Sequence, residues 1–202
     1  MNHLLVYAHP NANSFCHAVL ERIVQTSQEL GHATEVRDLY ALGFDPVHRG
    51  IDAQSLQTGE PLAADVRTEQ QHLVWADVIT LVYPNWWNGM PALLKGYIDR
   101  VFTSGFAYTY DHNGLVGLLK GKKALVFNST GGGRELMEQI GQLHTFTKAV
   151  QVGILGFCGV EVVEQKIFHR MFELTPALAA DWLDEVASIC RQHLGQQLID
   201  VA

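Results

Sequence analysis

The sequence is poor in cysteine, in positive charge and in long apolar runs. Its three cysteines, Cys16, Cys158 and Cys190, are widely spaced and form no CxxC pair. Neither a disulfide framework nor a zinc site is therefore predicted. Lysine and arginine total 14 against 21 acidic residues, for a formal net charge of -7. This acidic balance argues against nucleic acid as the main partner and against a basic membrane-binding patch.

Targeting and metal motifs are also missing. The first residues lack the basic and apolar segments of a signal peptide, and no apolar run approaches the ~18 residues of a transmembrane helix. These absences predict a cytoplasmic protein. HExxH and GxSxG do not occur, and no metal ligands are predicted. With 202 residues, of which 48% are hydrophobic, the chain is expected to form one domain over residues 1–202.

Short apolar runs alternate with stretches of helical periodicity from end to end. Residues 42–62 hold glycine, proline and aspartate and are predicted to form a surface loop. A series of strands separated by helices predicts an α/β fold, with a parallel sheet covered by helices on both faces. The predicted strands cover 4–8, 33–39, 78–83, 124–128 and 160–168, and the predicted helices 15–30, 63–75, 91–102, part of 136–152, and 176–194.

The turn that follows the first strand has the features of a phosphate site. In a sheet of this kind, ligands bind beyond the carboxyl ends of the strands. Asn13 or Ser14 can cap the next helix, whose first amides attract a phosphate with help from the Ser14 hydroxyl and the His9 ring. A plain capping turn without a ligand would use the same residues.

Two further turns have the composition expected around a planar ring. Trp86 and Trp87 stand side by side after the third strand, where they can form flat walls or pack at the sheet edge. The glycine run Gly131–Gly133 follows the fourth strand. Its amides can donate to the polar edge of a ring, although a flexible turn has the same composition.

Aromatic residues and one histidine complete the candidate site. Phe106, Tyr108 and Tyr110 alternate, as in a half-exposed strand, but nearby glycines suggest a wall beside the same crevice. His144 is a candidate proton donor because it titrates near neutral pH, whereas a lone histidine is more often a surface residue. The neighbours Asp99 and Arg100 are interpreted as a structural ion pair.

Taken in order, these motifs resemble the NAD(P)H:quinone oxidoreductase family. The similarity covers nearly the whole chain and implies a flavodoxin-like fold with three layers, doubly wound, and a five-stranded parallel sheet of order 2-1-3-4-5. The segments that carry it are Tyr7-Ala8-His9-Pro10, Ser14-Phe15, Pro84-Asn85-Trp86-Trp87, Met90 through Phe102, Phe106 through Tyr110, Ser129-Thr130-Gly131-Gly132 and Gly153 through Gly159.

The resemblance implies a homodimer with a flavin in each of two shared crevices. Hydride would pass from NADH or NADPH to the flavin and then to a quinone, two electrons at a time, in a ping-pong scheme. Tyr108 and Tyr110 would line the acceptor pocket of the other subunit. The flavin would be FAD, or FMN because the loop at 42–62 is short. The implied cofactor-binding residues are His9, Ser14, Phe15, Pro84, Asn85, Trp86, Trp87, Thr130, Gly131 and Gly132.

The chain departs from the family at the proton relay. A tyrosine and a histidine follow the glycine run in the quinone reductases. His144 matches the histidine after a one-residue shift, and the tyrosine has no counterpart, with Met137 nearest to its place. Two alternative functions share the same motifs. One is a flavoprotein regulatory subunit of a potassium-efflux transporter, and the other is an electron carrier of the flavodoxin type.

Overall fold

A computed structural model describes residues 1–58 and 63–195 of the chain. Its main sheet contains five parallel strands in the order β2-β1-β3-β6-β7. Counted among the parallel strands alone, this is the predicted order 2-1-3-4-5, so the flavodoxin-like α/β prediction is confirmed. The five strands are β1 (Asn2–Tyr7), β2 (Ala33–Asp38), β3 (Val78–Pro84), β6 (Lys123–Ser129) and β7 (Glu161–Phe168).

Helices cover both faces of the sheet. The central strands are apolar at successive positions because both of their faces are buried. Leu4 and Val6 belong to one core cluster, with side chains of α3, α4 and α6, whereas Leu5 and Tyr7 belong to a second, with α1 and α7. The helices are α1 (Phe15–Glu29), α2 (Gly50–Thr58), α3 (Ala64–Trp75), α4 (Ala92–Val101), α5 (Arg134–Gln139), α6 (Gln142–Val150) and α7 (Pro176–Leu194).

Local sequence signals set several boundaries. Helix α7 has the predicted bounds, since Thr175 caps it through a 3.2 Å hydrogen bond from Leu178 N and Pro176 occupies its first position. The segment 136–152 forms parts of two helices instead of one. Gly141, with a φ of 73°, separates the two helices. A short π-helix, Gln151–Leu155, extends the second one and is called the π-turn below.

The prediction of a loop over 42–62 is wrong for Gly50–Thr58, which is helix α2. Residues 59–62 lie outside the described part of the chain. The ion-pair interpretation of Asp99 with Arg100 is also wrong. Lys95 Nζ lies 2.5 Å from Asp99, while the buried Arg100 bonds Asp52 at 3.2 Å and Asp65 at 2.6 Å. Arg100 therefore joins α4 to α2 and to the start of α3.

A small hairpin lies outside the main sheet. Strands β4 (Tyr108–Asp111) and β5 (Gly114–Gly117) pair antiparallel. The hairpin packs against a 3₁₀ turn, Gly156–Cys158, so closely that a Cβ on Gly117 would lie 2.4 Å from Gly159 N. This contact holds the hairpin beside the π-turn.

The two outer strands differ in length and regularity. Strand β7 has eight residues. Its pairing with β6 shifts register at Ala124/Leu125, so β7 has a bulge opposite these two residues. Strand β2 forms the other edge of the sheet. Within the described residues, no helix has the length and apolar character needed to cross a bilayer.

Candidate functional site

Four turns meet at the carboxyl edge of the sheet and enclose a cavity of about 530 Å³. They follow β1, β3, β6 and β7. The first three are the turns that the sequence singles out, and residues of each of them line the cavity. The fourth, at residues 169–173, was not predicted as part of the site.

The turn after β1 offers donors to an anion. Ser14 caps α1 by accepting a 3.1 Å hydrogen bond from His17 N. The backbone N–H groups of Phe15 and Cys16, at the start of α1, have no acceptor among the described residues, and both residues line the cavity. The His9 ring uses Nδ1 within the turn, 3.0 Å from Asn11 N, which leaves Nε2 for a ligand. Burial lowers the pKa of His9 below its ordinary value.

The turn after β3 presents two indole rings. Trp87 is 103% exposed, which excludes the alternative that it packs in the core, and Trp86 is 43% exposed. Trp87 and Asn88 have positive φ angles of 53° and 60°, a conformation that is costly for a bulky side chain. The turn therefore holds an unburied indole at the cavity in a strained conformation.

Asn85 contributes a polar atom that has no partner among the described residues. Its backbone N–H bonds Ser129 O at 2.6 Å, which ties the turn after β3 to the turn after β6. Its side-chain Oδ1 is buried without a hydrogen bond, and the residue lines the cavity. A buried acceptor of this kind is costly unless a donor reaches it. The atom fits a ligand that carries a hydrogen-bond donor.

The glycine run after β6 divides into two parts. Thr130 and Gly131 line the cavity, and Gly131 N–H has no acceptor among the described residues. Gly132 does not line the cavity. Its N–H donates to Thr130 Oγ1 at 3.2 Å, and a Cβ on it would contact Met137. Gly131 is thus the glycine whose amide is placed to serve a ligand.

Sequence reasoning missed four lining residues: Cys16, Ser129, Met171 and Phe172. Cys16 Sγ lies 3.2 Å from Ser129 Oγ, and burial raises the pKa of its thiol to about 11, so it is not a reactive thiolate. The last two residues belong to the turn after β7. Only the strand order could have indicated that turn, since the carboxyl ends of parallel strands share one edge of the sheet.

Three predicted residues lie elsewhere in the chain. Tyr108 lines a separate hollow of about 330 Å³ with Phe157 and Ile154, and Tyr110 is exposed at the hairpin. His144 is exposed on α6 beside a shallow depression. Within one chain, none of the three reaches the cavity. Their roles in a crevice shared by two subunits, and that of His144 in proton transfer, stay predictions.

Comparison with known proteins identifies the class and then the family. A family model described as a flavodoxin-like fold matches residues 1–188, so the chain is a flavodoxin-like protein. A solved NAD(P)H:quinone oxidoreductase of Methanothermobacter marburgensis has a TM-score of 0.84 and 31% identity, and the match covers 95% of this chain and 96% of that one.

Two relatives narrow the assignment further. An uncharacterized NAD(P)H oxidoreductase of Haemophilus influenzae is 40% identical over 169 residues, 83% of each chain. NAD(P)H dehydrogenase [quinone] 1 of Cavia porcellus is 34% identical over 200 residues, covering 89% of this chain and 72% of that protein. The chain belongs to the NAD(P)H:quinone oxidoreductase family, as its motifs predicted.

Proposed function

We propose that the protein is a flavin-dependent oxidoreductase that transfers two electrons from NADH or NADPH to a quinone. The observation that carries the proposal is the convergence of four turns on one cavity, with anion donors at one turn and exposed indole rings at another. Relatives that are named NAD(P)H dehydrogenase [quinone] support the choice of donor and acceptor.

The residues present fit a flavin. The free amides at the start of α1, with Ser14 and His9, suit a phosphate. Trp86 and Trp87 suit the faces of a flat ring. The Gly131 N–H can donate to an acceptor atom of the ring, and Asn85 Oδ1 can accept from a donor atom of the ring. When bound, the flavin would supply the redox chemistry, accepting hydride from the nicotinamide and passing it to the quinone.

The protein's part in this proposal is binding, orientation and exclusion of water. A pocket that serves both substrates in turn predicts ping-pong kinetics. The hydrogen-bond donors that bind the phosphate would fix the flavin ring against the two tryptophans. Oriented amides would stabilise negative charge on the ring. We favour FAD as the flavin, with FMN as the alternative.

The proposal includes a homodimer, because the two tyrosines expected to line the acceptor pocket do not reach the cavity of their own chain. Tyr110 is 65% exposed, and Tyr108 lies in a hollow apart from the cavity. In a dimer with shared crevices, both tyrosines would come from the partner subunit to the acceptor pocket. Mass measurement in solution tests the dimer. The variant Tyr110→Ala should raise KM for the quinone and KM for the nicotinamide nucleotide, because the proposal has both substrates use this pocket in turn.

The decisive experiment is purification followed by an absorption spectrum and release of the cofactor. A yellow protein supports the proposal, and chromatography of the released flavin separates FAD from FMN. Initial rates with NADH and with NADPH, at several quinone concentrations, should give parallel double-reciprocal lines. A colourless protein that takes up neither flavin would overturn the proposal. Intersecting lines would overturn the single shared pocket.

A further inference from the structure

The turn after β7 is bound to the glycine run by backbone hydrogen bonds. Thr130 N donates to Phe168 O at 2.8 Å, and Met171 N donates to Thr130 O at 3.1 Å. Arg170 N donates to Gly132 O at 3.2 Å. A 3₁₀ turn, Met171–Glu173, follows directly. The position of this turn is therefore set by the same loop that serves the cavity.

Arg170 adds a second restraint. Its φ is 57°, an uncommon conformation for a residue other than glycine. Its guanidinium pairs with Glu135 at 3.1 Å and with Glu173 at 3.6 Å. Exposed pairs of this kind contribute little each, but together with the left-handed backbone they fix the direction in which the next residues leave the sheet.

Phe172 is the residue that this arrangement delivers to the cavity. Its side chain lines the cavity although it is 94% exposed. The ring lies directly on Gly131, so that a Cβ on that glycine would lie 2.5 Å from Phe172 Cε2. Gly131 has an ordinary negative φ, so a side chain at this position would disturb the phenyl ring and not the backbone conformation.

We propose that Phe172 is a flavin-binding residue that covers the flavin ring at its glycine-run side. This inference rests on the proposed function and deepens it. Trp87 and Phe172, both almost fully exposed, then stand at two different turns of one cavity. Each would bury its ring only when a flat apolar ligand fills the space between the turns. Burial of that apolar surface would favour retention of the flavin.

The test is equilibrium titration of flavin-free protein with FMN and, separately, with FAD. Binding is measured by the change in flavin fluorescence. Phe172→Ala should weaken the binding of both by about tenfold, which corresponds to ~1.4 kcal/mol. Its stability should be unchanged, because the side chain is exposed in the free protein. Leu136→Ala is the matched control, since Leu136 is 58% exposed and does not line the cavity.

The variant Gly131→Ala tests the contact between the two residues. Its new methyl group should push the Phe172 ring aside and cause a similar loss of affinity. The double variant, Gly131→Ala with Phe172→Ala, should then bind flavin no more weakly than Phe172→Ala alone. Losses that add would overturn the contact as the source of the effect.

The remaining outcomes separate this inference from the proposed function. Unchanged affinity of Phe172→Ala for both flavins would overturn the inference and leave the proposed function standing. A loss for FAD alone would also overturn it, because FMN and FAD share the ring that Phe172 is proposed to cover. If the unmodified protein binds neither flavin, both the inference and the proposed function are wrong.

Discussion

Trp86 and Gly89 exchange two backbone hydrogen bonds, of 3.0 and 3.1 Å, and close a two-residue turn over Trp87 and Asn88. Both central residues have positive φ, as in a type I′ hairpin turn. Asparagine tolerates this conformation better than tryptophan does. The turn thus carries strain at the residue whose indole ring is fully exposed at the cavity.

Replacing Trp87 with glycine should stabilise the flavin-free protein. The change removes a left-handed tryptophan and loses almost no buried surface, so we expect the free energy of unfolding to rise by about 1 kcal/mol. Urea denaturation measures the change. Asn88→Gly, the matched control, should have a smaller effect. Flavin affinity of Trp87→Gly should fall, and a loss of stability in that variant would show that the ring packs against the protein after all.

Substitutions at Ser14 can separate helix capping from phosphate binding. Ser14→Asp should keep the cap, because aspartate also accepts a hydrogen bond from His17 N, and unfolding free energy should stay within ~0.5 kcal/mol. Its added negative charge should weaken the binding of FMN by more than about tenfold. Riboflavin, which lacks the phosphate, should bind with nearly unchanged affinity. Equal losses for both ligands would place the phosphate elsewhere.

His3 should make the fold sensitive to acid. The buried ring lies 2.8 Å from Ser27 Oγ and 2.7 Å from Thr80 Oγ1, and burial, with a smaller effect of His32, lowers its pKa to about 3. Because the folded-state pKa lies below that of the unfolded chain, the stabilisation is complete above pH ~6.5. It should be lost at about 1.4 kcal/mol per pH unit as the pH falls below that value toward 3.

The slope can be assigned to His3 by comparison with a variant. His3→Leu should be less stable at pH 7, since it leaves two buried hydroxyl groups without their partner. It should nevertheless show a shallower loss of stability between pH 6.5 and 4.5 than the unmodified protein. His48→Gln, a change at an exposed histidine, should retain the full slope. Equal slopes in all three proteins would show that His3 is not the sensitive group.

Arg100 should be the most costly of the charged residues to remove. Its guanidinium bonds Asp52, which is 2% exposed, and donates to Asp45 O at 2.8 Å. Arg100→Met would leave a buried carboxylate without its partner, and we expect a loss of about 3–5 kcal/mol in unfolding free energy. Lys95→Met breaks an exposed pair and should cost less than ~1 kcal/mol. Thermal and urea denaturation both test the contrast.

The sheet could be predicted from sequence because each strand is marked locally. Leu4 through Ala8 is a continuous apolar run, and Val78 through Val82 is apolar except for Thr80. Glycine, proline or polar residues stop both runs. Helix α7 has a proline at its first position and a capping threonine before it. Helix α2 has no comparable signal, since Gly50 and Asp52 also suit a loop. A bond from Arg100, 48 residues away, holds it.

The candidate site was predicted wherever a turn had an unusual composition. His9, Ser14, Trp86, Trp87 and Gly131 lie at the cavity as their motifs suggested. Phe172 belongs to no recognisable motif. Its position depends on the left-handed backbone of Arg170 and on the close packing of its ring on Gly131. Tyr108 is the first residue of the hairpin. The position of the hairpin is set by its packing on Gly159, and no local sequence pattern reveals that contact.

The bulge and the charges of β7 also bear on behaviour at high concentration. An outer strand of eight residues could pair with the same strand of a second molecule and begin aggregation. Glu161, Glu164 and Lys166 interrupt its apolar residues, and the irregular register spoils the straight template that such pairing needs. Replacing Glu164 and Lys166 with valine would remove this protection and should turn a well-behaved preparation into one that precipitates.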